Sequence, residues 1–241
     1  MSVTVITTFS EKNYQDYARH FFTSAQAYIA KNVTFRLYTD VPYITMPSNF
    51  ENFILEEACP ELTEFKKRNS HRTVPEGTKG FLKDAVRFAH KSYAIIHASR
   101  TVKTKRFVWL DADTEILCPL NSDYFQSHMP KGHDVAYLNR KNKYTETGYL
   151  QFAANKKTKK FFDKWQWYYD TDEIYNLNGQ LDCHVFDACL DLIPEERRHQ
   201  LSPPDVNKRH FDMTFRGFMC HYKGDDKQAR DIYYNRALRK K

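Results

Sequence analysis

The sequence predicts one α/β domain built on a mostly parallel sheet flanked by helices. Three observations predict it. Val3 to Phe9 (VTVITTF) is an uncharged, β-branched run, and Val33 to Tyr38 (VTFRLY) is another. A helix-period segment lies between them, all within the first 40 residues. A strand–helix–strand unit of that size belongs to parallel pairing through a crossover. The second observation is a repeat of that rhythm, in which an amphipathic segment over 81–97 leads into the apolar run Arg106 to Leu110 (RFVWL). The third is size and balance. The 241 residues are 41% hydrophobic and 28% charged, enough for a packed core and too apolar for a disordered chain. No linker or internal repeat divides it.

Each element has its own signal. Val3 to Phe9 has the composition of a buried strand. Ser10 is a helix cap, and Tyr14 to Ile29 is a helix with Tyr14, Tyr17, Ala18, Phe21, Phe22, Ala25 and Tyr28 on one broad face. Asp40 falls just past the carboxyl end of the second strand, where parallel sheets bind ligands. Residues 41–80 hold Pro42, Pro47, Pro60 and Pro75 and are expected to be irregular, with Arg68 to Lys79 a loop. Phe81 to His97 is a helix whose stripe is Leu82, Ala85, Val86, Ala89, Tyr93 and Ile96. Lys83, Arg87 and His90 share another face, either a solvated basic surface or an edge turned to phosphate or ribose. Val135 to Leu138 and Tyr149 to Ala153 are strands. Asn155 can cap a helix to about Tyr169, with four lysines (156, 157, 159, 160) in its first turns, against the helix macrodipole. The basic C-terminus (Arg236, Arg239, Lys240, Lys241) is expected to fray.

Lys plus Arg total 37 against 30 Asp plus Glu, a formal charge of +7 that favours polyanions such as nucleotide phosphates or nucleic acid. Seven glycines exclude collagen-like and Gly-rich chemistry. No run approaches a membrane span, and Met1 to Phe9 lacks a signal-peptide pattern, so a cytoplasmic protein is expected. The triplet Asn32-Val33-Thr34 is then an accidental glycosylation match. The five cysteines (59, 118, 183, 189, 220) form no CxxC pair and are expected to be reduced thiols.

Two segments carry chemistry. In Phe107 to Asp113 (FVWLDAD) two acids directly follow an apolar strand. Asp is depleted in strands and costly to bury unpaired. Alternate residues of an extended segment point the same way, so Asp111 and Asp113 can converge on one ion, with Mg²⁺ or Mn²⁺ suited to the oxygen donors. Near the end, His221 to Lys227 (HYKGDDK) offers an imidazole ligand in His221, a Gly224 that admits a phosphate close to the backbone, and a cation in Lys227.

Together, residues 3–40, KDAVRF (83–88), VWLDAD (108–113) and HYKGDDK (221–227) resemble nucleotide-sugar glycosyltransferases of the GT-A fold, nearest the glycogenin and galactosyltransferase group called family 8. The resemblance implies a Rossmann-like, mostly parallel sheet in a single domain. Residues 1–117 would be the nucleotide-binding half, ending on the DxD, and 118–241 the acceptor-side half with the C-terminal metal and phosphate segment. It implies a uridine-diphosphate sugar donor and a divalent cation held by Asp111, Asp113 and His221. Lys83, Arg87, Gly224 and Lys227 would serve the diphosphate, and Thr7, Thr8, Tyr14 and Asp40 the base and ribose. Glu146-Thr147-Gly148 resembles the acceptor-side strand. Asn178 to His184 stands where the family often has a DQD-type segment; Gln180 and Asp182 match it, while its first acid is absent. Asp182, Glu146 and Gln180 are thus the candidates beside the reacting carbon, and both stereochemical courses stay open. The acceptor is expected to be a hydroxyl of a glycan, a lipid-linked group or a protein, or a hydroxylated base in phage or viral DNA, which the positive charge would accommodate. Two other classes compete. A sugar-1-phosphate nucleotidylyltransferase would want a Gly-rich loop that Thr7 to Lys12 lacks. A non-catalytic nucleic-acid-binding module has only the basic charge in its favour.

Overall fold

The computed structural model describes residues 2–41, 45–74, 80, 83–202 and 210–223. The main-sheet strands are β1 (Val3–Phe9), β2 (Val33–Thr39), β3 (Phe50–Ile54), β4 (Arg106–Leu110), β6 (Val135–Arg140), β7 (Lys143–Ala153) and β8 (Arg198–Gln200), in the order β3-β2-β1-β4-β7-β6-β8. β3, β2, β1 and β4 are parallel; β7 runs antiparallel to both β4 and β6, and β8 pairs parallel to β6. A separate antiparallel ribbon joins β5 (Thr114–Ile116) to β9 (Met219–His221).

Strand residues alternate strictly between two cores, because successive side chains leave a strand on opposite faces. Ile6, Tyr38, Phe107, Trp109, Leu150 and Phe152 enter one core, against α4 (Pro60–Arg68), α5 (Ala85–Thr101), α7 (Lys159–Asp170) and α8 (Asp182–Leu190). Val3, Val5, Phe35, Leu37, Val108, Leu110 and Tyr149 enter the other, with Phe21 and Phe22 of α2 (Arg19–Tyr28), Phe125 of α6 (Ser122–Ser127) and Phe211 of α9 (His210–Thr214). Trp165 sits fully buried in the first core and donates its indole N–H to Ser92, whose hydroxyl donates to Tyr169. Its polar edge is therefore satisfied where burial would otherwise penalise it.

The expected strands are present, several of them longer. Four expectations need correction. The first helix is broken in type. Ser10 caps α1 (Glu11–Asn13), and a π-helical turn, Tyr14–Ala18, precedes α2. Single π turns are uncommon and recur at functional sites. The region 41–80 is more regular than its prolines suggest. It holds β3, α3 (Leu55–Ala58) and α4, because Pro60 occupies the first helical turn, where its missing N–H has no partner to lose. The third correction is the helix expected over 81–97. α5 begins at Ala85, where the Asp84 carboxylate accepts the Arg87 amide, and it runs on to Thr101. Lys83 therefore precedes the helix and does not share a helical face with Arg87 and His90; Phe81 and Leu82 lie outside the described residues.

Much of the basic surface has structural work. Arg68 bonds to Asp172 and to the Tyr169 and Asp170 carbonyls, and Arg72 stacks on Tyr175. The fourth correction is the helix expected from Asn155: α7 begins at Lys159 with Thr158 at its cap position, so Asn155 is not its cap and Lys156 and Lys157 precede it. The lysines at 156–160 follow the carboxyl end of β7. β7 is reversed, with Ala153 beside Arg106 and Tyr149 beside Leu110. The lysines thus stand at the opposite end of the strands from Asp111, about 16 Å of strand away at 3.3 Å per residue. All five cysteines are free. No helix among the described residues is long and apolar enough to cross a membrane.

Asp134 sets one pH response. Burial alone would raise its pKa, but the Arg197 guanidinium and the Asn155 amide outweigh burial and hold it below the usual range. A depressed native pKa stabilises the fold above the unfolded value, about 3.9, and that contribution is lost as pH falls through the native value. Asp134→Asn is expected to melt below the unsubstituted protein at pH 7. The gap should narrow as pH drops below about 4. Calorimetry across pH checks it, and a gap independent of pH refutes it.

Candidate active site

The site begins where β4 runs out. Phe107, Trp109 and Asp111 are alternate residues, so Asp111 is turned to the same side of the sheet as Trp109, towards α5. There the Trp109 indole N–H and the Lys91 ammonium both donate to Asp111 Oδ1, at 2.7 and 2.8 Å. The Asp111 amide donates to the Gly148 carbonyl of β7, which anchors the backbone. With Oδ1 engaged, Oδ2 is the oxygen that faces His221 Nε2, at 3.6 Å.

Asp113 arrives by a turn and not by the extended alternation the sequence suggests. The Thr114 amide closes on the Asp111 carbonyl and folds Ala112-Asp113 back. β5 leaves that turn and pairs with β9 so that Thr114 lies opposite His221, and the Tyr222 amide donates to the Asp113 carbonyl. The ribbon therefore delivers the imidazole, 108 residues later in the chain, to 2.8 Å from Asp113 Oδ1. Donor atoms of Asp111, Asp113 and His221 all lie within 4.8 Å of one another. Two carboxylates and one imidazole fit a hard or borderline divalent cation such as Mg²⁺ or Mn²⁺. The electrostatics agree. Burial disfavours a charged His221, yet Asp113 and then Asp111 raise its pKa, so this locus attracts positive charge.

A second layer lies behind the acids. The Lys91 ammonium also reaches Asp182 Oδ2 at 2.8 Å and the Thr147 carbonyl at 2.7 Å, and the Thr147 hydroxyl donates to Asp182 at 2.6 Å. Burial opposes the charge on Lys91, but Asp111 and Asp182 outweigh it and raise its pKa. Burial likewise opposes the Asp182 charge, and Lys91 and Thr147 pull its pKa below the usual carboxylate range. Asp182 opens α8, and half-buried Gln180 lies two residues before it. Glu146 projects from β7 towards His221. Its carboxylate bonds to Lys223 and lies 3.6 Å from Arg140. Burial opposes its charge, but Lys223, His221 and Arg140 lower its pKa. Tyr17, from the π turn, is near enough to the acids that burial, Asp113 and Asp111 together push its hydroxyl pKa up.

The residues expected around a nucleotide are more scattered. Thr7 is fully buried within β1, Thr8 donates its hydroxyl to the Tyr38 carbonyl, and Asp40 accepts the Glu11 amide. Tyr14 stacks on Phe9 and lines a cavity of about 420 Å³ with Glu11, Gln15, Phe22, Gln26, Val41 and Thr45; the Asp–Asp–His cluster is not part of its lining. Arg87 is turned to Asp84 at 3.5 Å, and Lys83 is exposed. Gly224 and Lys227 lie outside the described residues. The sequence reading missed Lys91, Trp109, Thr147 and Tyr17. A lysine directly before the uncharged run Ser92 to Ile96 was the available signal for Lys91, since a buried ammonium demands an anion.

No family model matches the chain, and no curated protein sequence does. Among solved structures the chain is similar to a glycosyltransferase involved in the glycosylation of the major capsid of PBCV-1. The two share 13% identity at a TM-score of 0.52, over 98% of this chain and 99% of that one. A second similar structure is mouse xyloside xylosyltransferase 1 in its apo form, with 11% identity, a TM-score of 0.48, and 84% and 86% covered. The first likeness spans the chain from end to end and concerns its architecture: the protein is a single α/β domain with a GT-A-like glycosyltransferase fold.

Proposed function

We propose that the protein is a metal-dependent glycosyltransferase, nearest family 8 in type, that moves a sugar from a uridine-diphosphate donor to an acceptor hydroxyl. The observation that carries this reading is the convergence of Asp111, Asp113 and His221 at the carboxyl ends of parallel strands, in a fold shared with a glycosyltransferase. Ligands of open α/β sheets bind at that edge. Asp111, Asp113 and His221 would hold Mn²⁺ or Mg²⁺, which when bound supplies charge neutralisation for the leaving diphosphate. Arg87 and Lys83, with Gly224 and Lys227, would add positive charge and close backbone approach on the diphosphate side. Thr7, Thr8, Tyr14 and Asp40 are assigned to the base and ribose.

Asp182 is assigned to the reacting centre with Gln180 beside it. Its lowered pKa suits a fixed anion that steadies an oxocarbenium-like sugar better than a base that must take up a proton near neutral pH. Lys91 keeps that anion charged and in place. The acceptor is assigned to a glycan hydroxyl. The lysines at 156–160 stand at the far end of the strands, which removes the reason for joining them to a nucleic-acid acceptor at this site.

The test is slow release of free uridine diphosphate from uridine-diphosphate sugars without acceptor, together with thermal shifts for uridine diphosphate plus Mn²⁺. Release that stops with a chelator and returns with Mn²⁺ is expected. A chain that neither hydrolyses any such donor nor gains stability from the nucleotide refutes the function.

A further inference from the structure

We propose that Glu146 is a positioning residue whose carboxylate accepts a hydrogen bond from the Nδ1–H of His221 and so turns the ring's Nε2 lone pair onto the cation. The inference rests on the metal site proposed above and deepens it. His221 Nε2 faces the acids, at 2.8 Å from Asp113 and 3.6 Å from Asp111. Nδ1, at the other side of the ring, is buried without a hydrogen-bond partner, on a side chain only 4% exposed. A neutral imidazole carries one N–H, so a lone pair presented at Nε2 places the proton on Nδ1. That buried N–H needs an acceptor. Glu146 Oε1 stands 3.9 Å away, and a shift of about 1 Å brings the pair to hydrogen-bond distance.

The surroundings suit that shift. Lys223 and Arg140 both engage Glu146 Oε2, which leaves Oε1 to the imidazole. Gly148, two residues on, leaves the room the ring occupies. A Cβ there would stand 2.6 Å from His221 Cε1 and 2.8 Å from Nδ1. An outer carboxylate of this kind fixes the tautomer and orientation of a metal-bound histidine. Glu146 then acts through His221 and not on the acceptor proton.

Mn²⁺ affinity of the full chain without nucleotide, measured by electron paramagnetic resonance, tests it. Glu146→Ala is expected to weaken Mn²⁺ about 10–100-fold, the range for loss of such an outer partner. Glu146→Gln keeps an acceptor oxygen and should lose only a few-fold, with most of kcat recovered at saturating Mn²⁺. Unchanged Mn²⁺ affinity in Glu146→Ala overturns the inference while leaving the metal site standing. A Glu146→Gln variant that binds Mn²⁺ normally yet loses kcat about 100-fold or more overturns it too, because an amide cannot serve as a base; this second variant decides the question even if the alanine variant fails to fold. No Mn²⁺ binding by the unsubstituted chain overturns the metal site and the inference together.

Discussion

Asp113→Ala is expected to reduce sugar transfer by about 10³-fold or more, the scale of losing electrostatic stabilisation of a leaving group, because Asp113 would hold the cation that neutralises the diphosphate. The geometry says why the loss is that large. Asp111 has already committed one oxygen to Trp109 and Lys91, so it can turn only Oδ2 to a cation. Asp113 is the second carboxylate of the cluster and the closer one to His221. The fold should persist, because the turn is closed by backbone bonds from Thr114 and Tyr222 that do not use the Asp113 side chain. Turnover at saturating donor and Mn²⁺, with circular dichroism as the control for folding, checks the result. Full activity in a folded Asp113→Ala chain removes the proposed centre.

Lys91→Met carries the second large effect, and it acts on stability first. Methionine has similar length and no charge, so Asp111 and Asp182 lose their shared cation, and Asp182 stays buried while Asp111 is partly exposed. Breaking a buried ion pair from one side costs about 3–5 kcal/mol, because the stranded charge keeps its desolvation penalty. Adding Asp182→Asn should recover part of that loss, since the stranded charge goes with it. The coupling from a double-mutant cycle in denaturant unfolding reads the pair directly. Transfer should fall as well if Asp182 serves the reaction as proposed, since it loses the contact that holds it in place. If Lys91→Met unfolds at the same denaturant concentration as the unsubstituted chain, the buried triad is not energetically coupled.

What could be foreseen divides along physical lines. β1, β2 and β4 were visible because fully buried parallel strands are short apolar runs, and Val3–Phe9 and Arg106–Leu110 match their expected limits. β3 and α4 were not, since proline reads locally as a breaker, whereas Pro60 acts as a first-turn residue. The Asp111–Asp113 pair was visible as a candidate site because acids beyond an apolar strand need compensation. Lys91 was not, since the apolar stripe of α5 hides a lysine until its partners are known.

The sequence by itself determined the α/β class, the strand that ends on Asp111, and the donor types in the Asp–Ala–Asp and His221 segments. Those are local properties, written in composition and in a period of two or 3.6 residues. Only the tertiary structure decided which oxygen of Asp111 faces His221, that one ammonium serves Asp111 and Asp182 together, and that the lysines at 156–160 lie at the far end of the strands from Asp111. Each of those depends on strand register and on the reversal of β7. Register joins residues far apart in the chain, and no local pattern encodes the distance between Asp113 and His221.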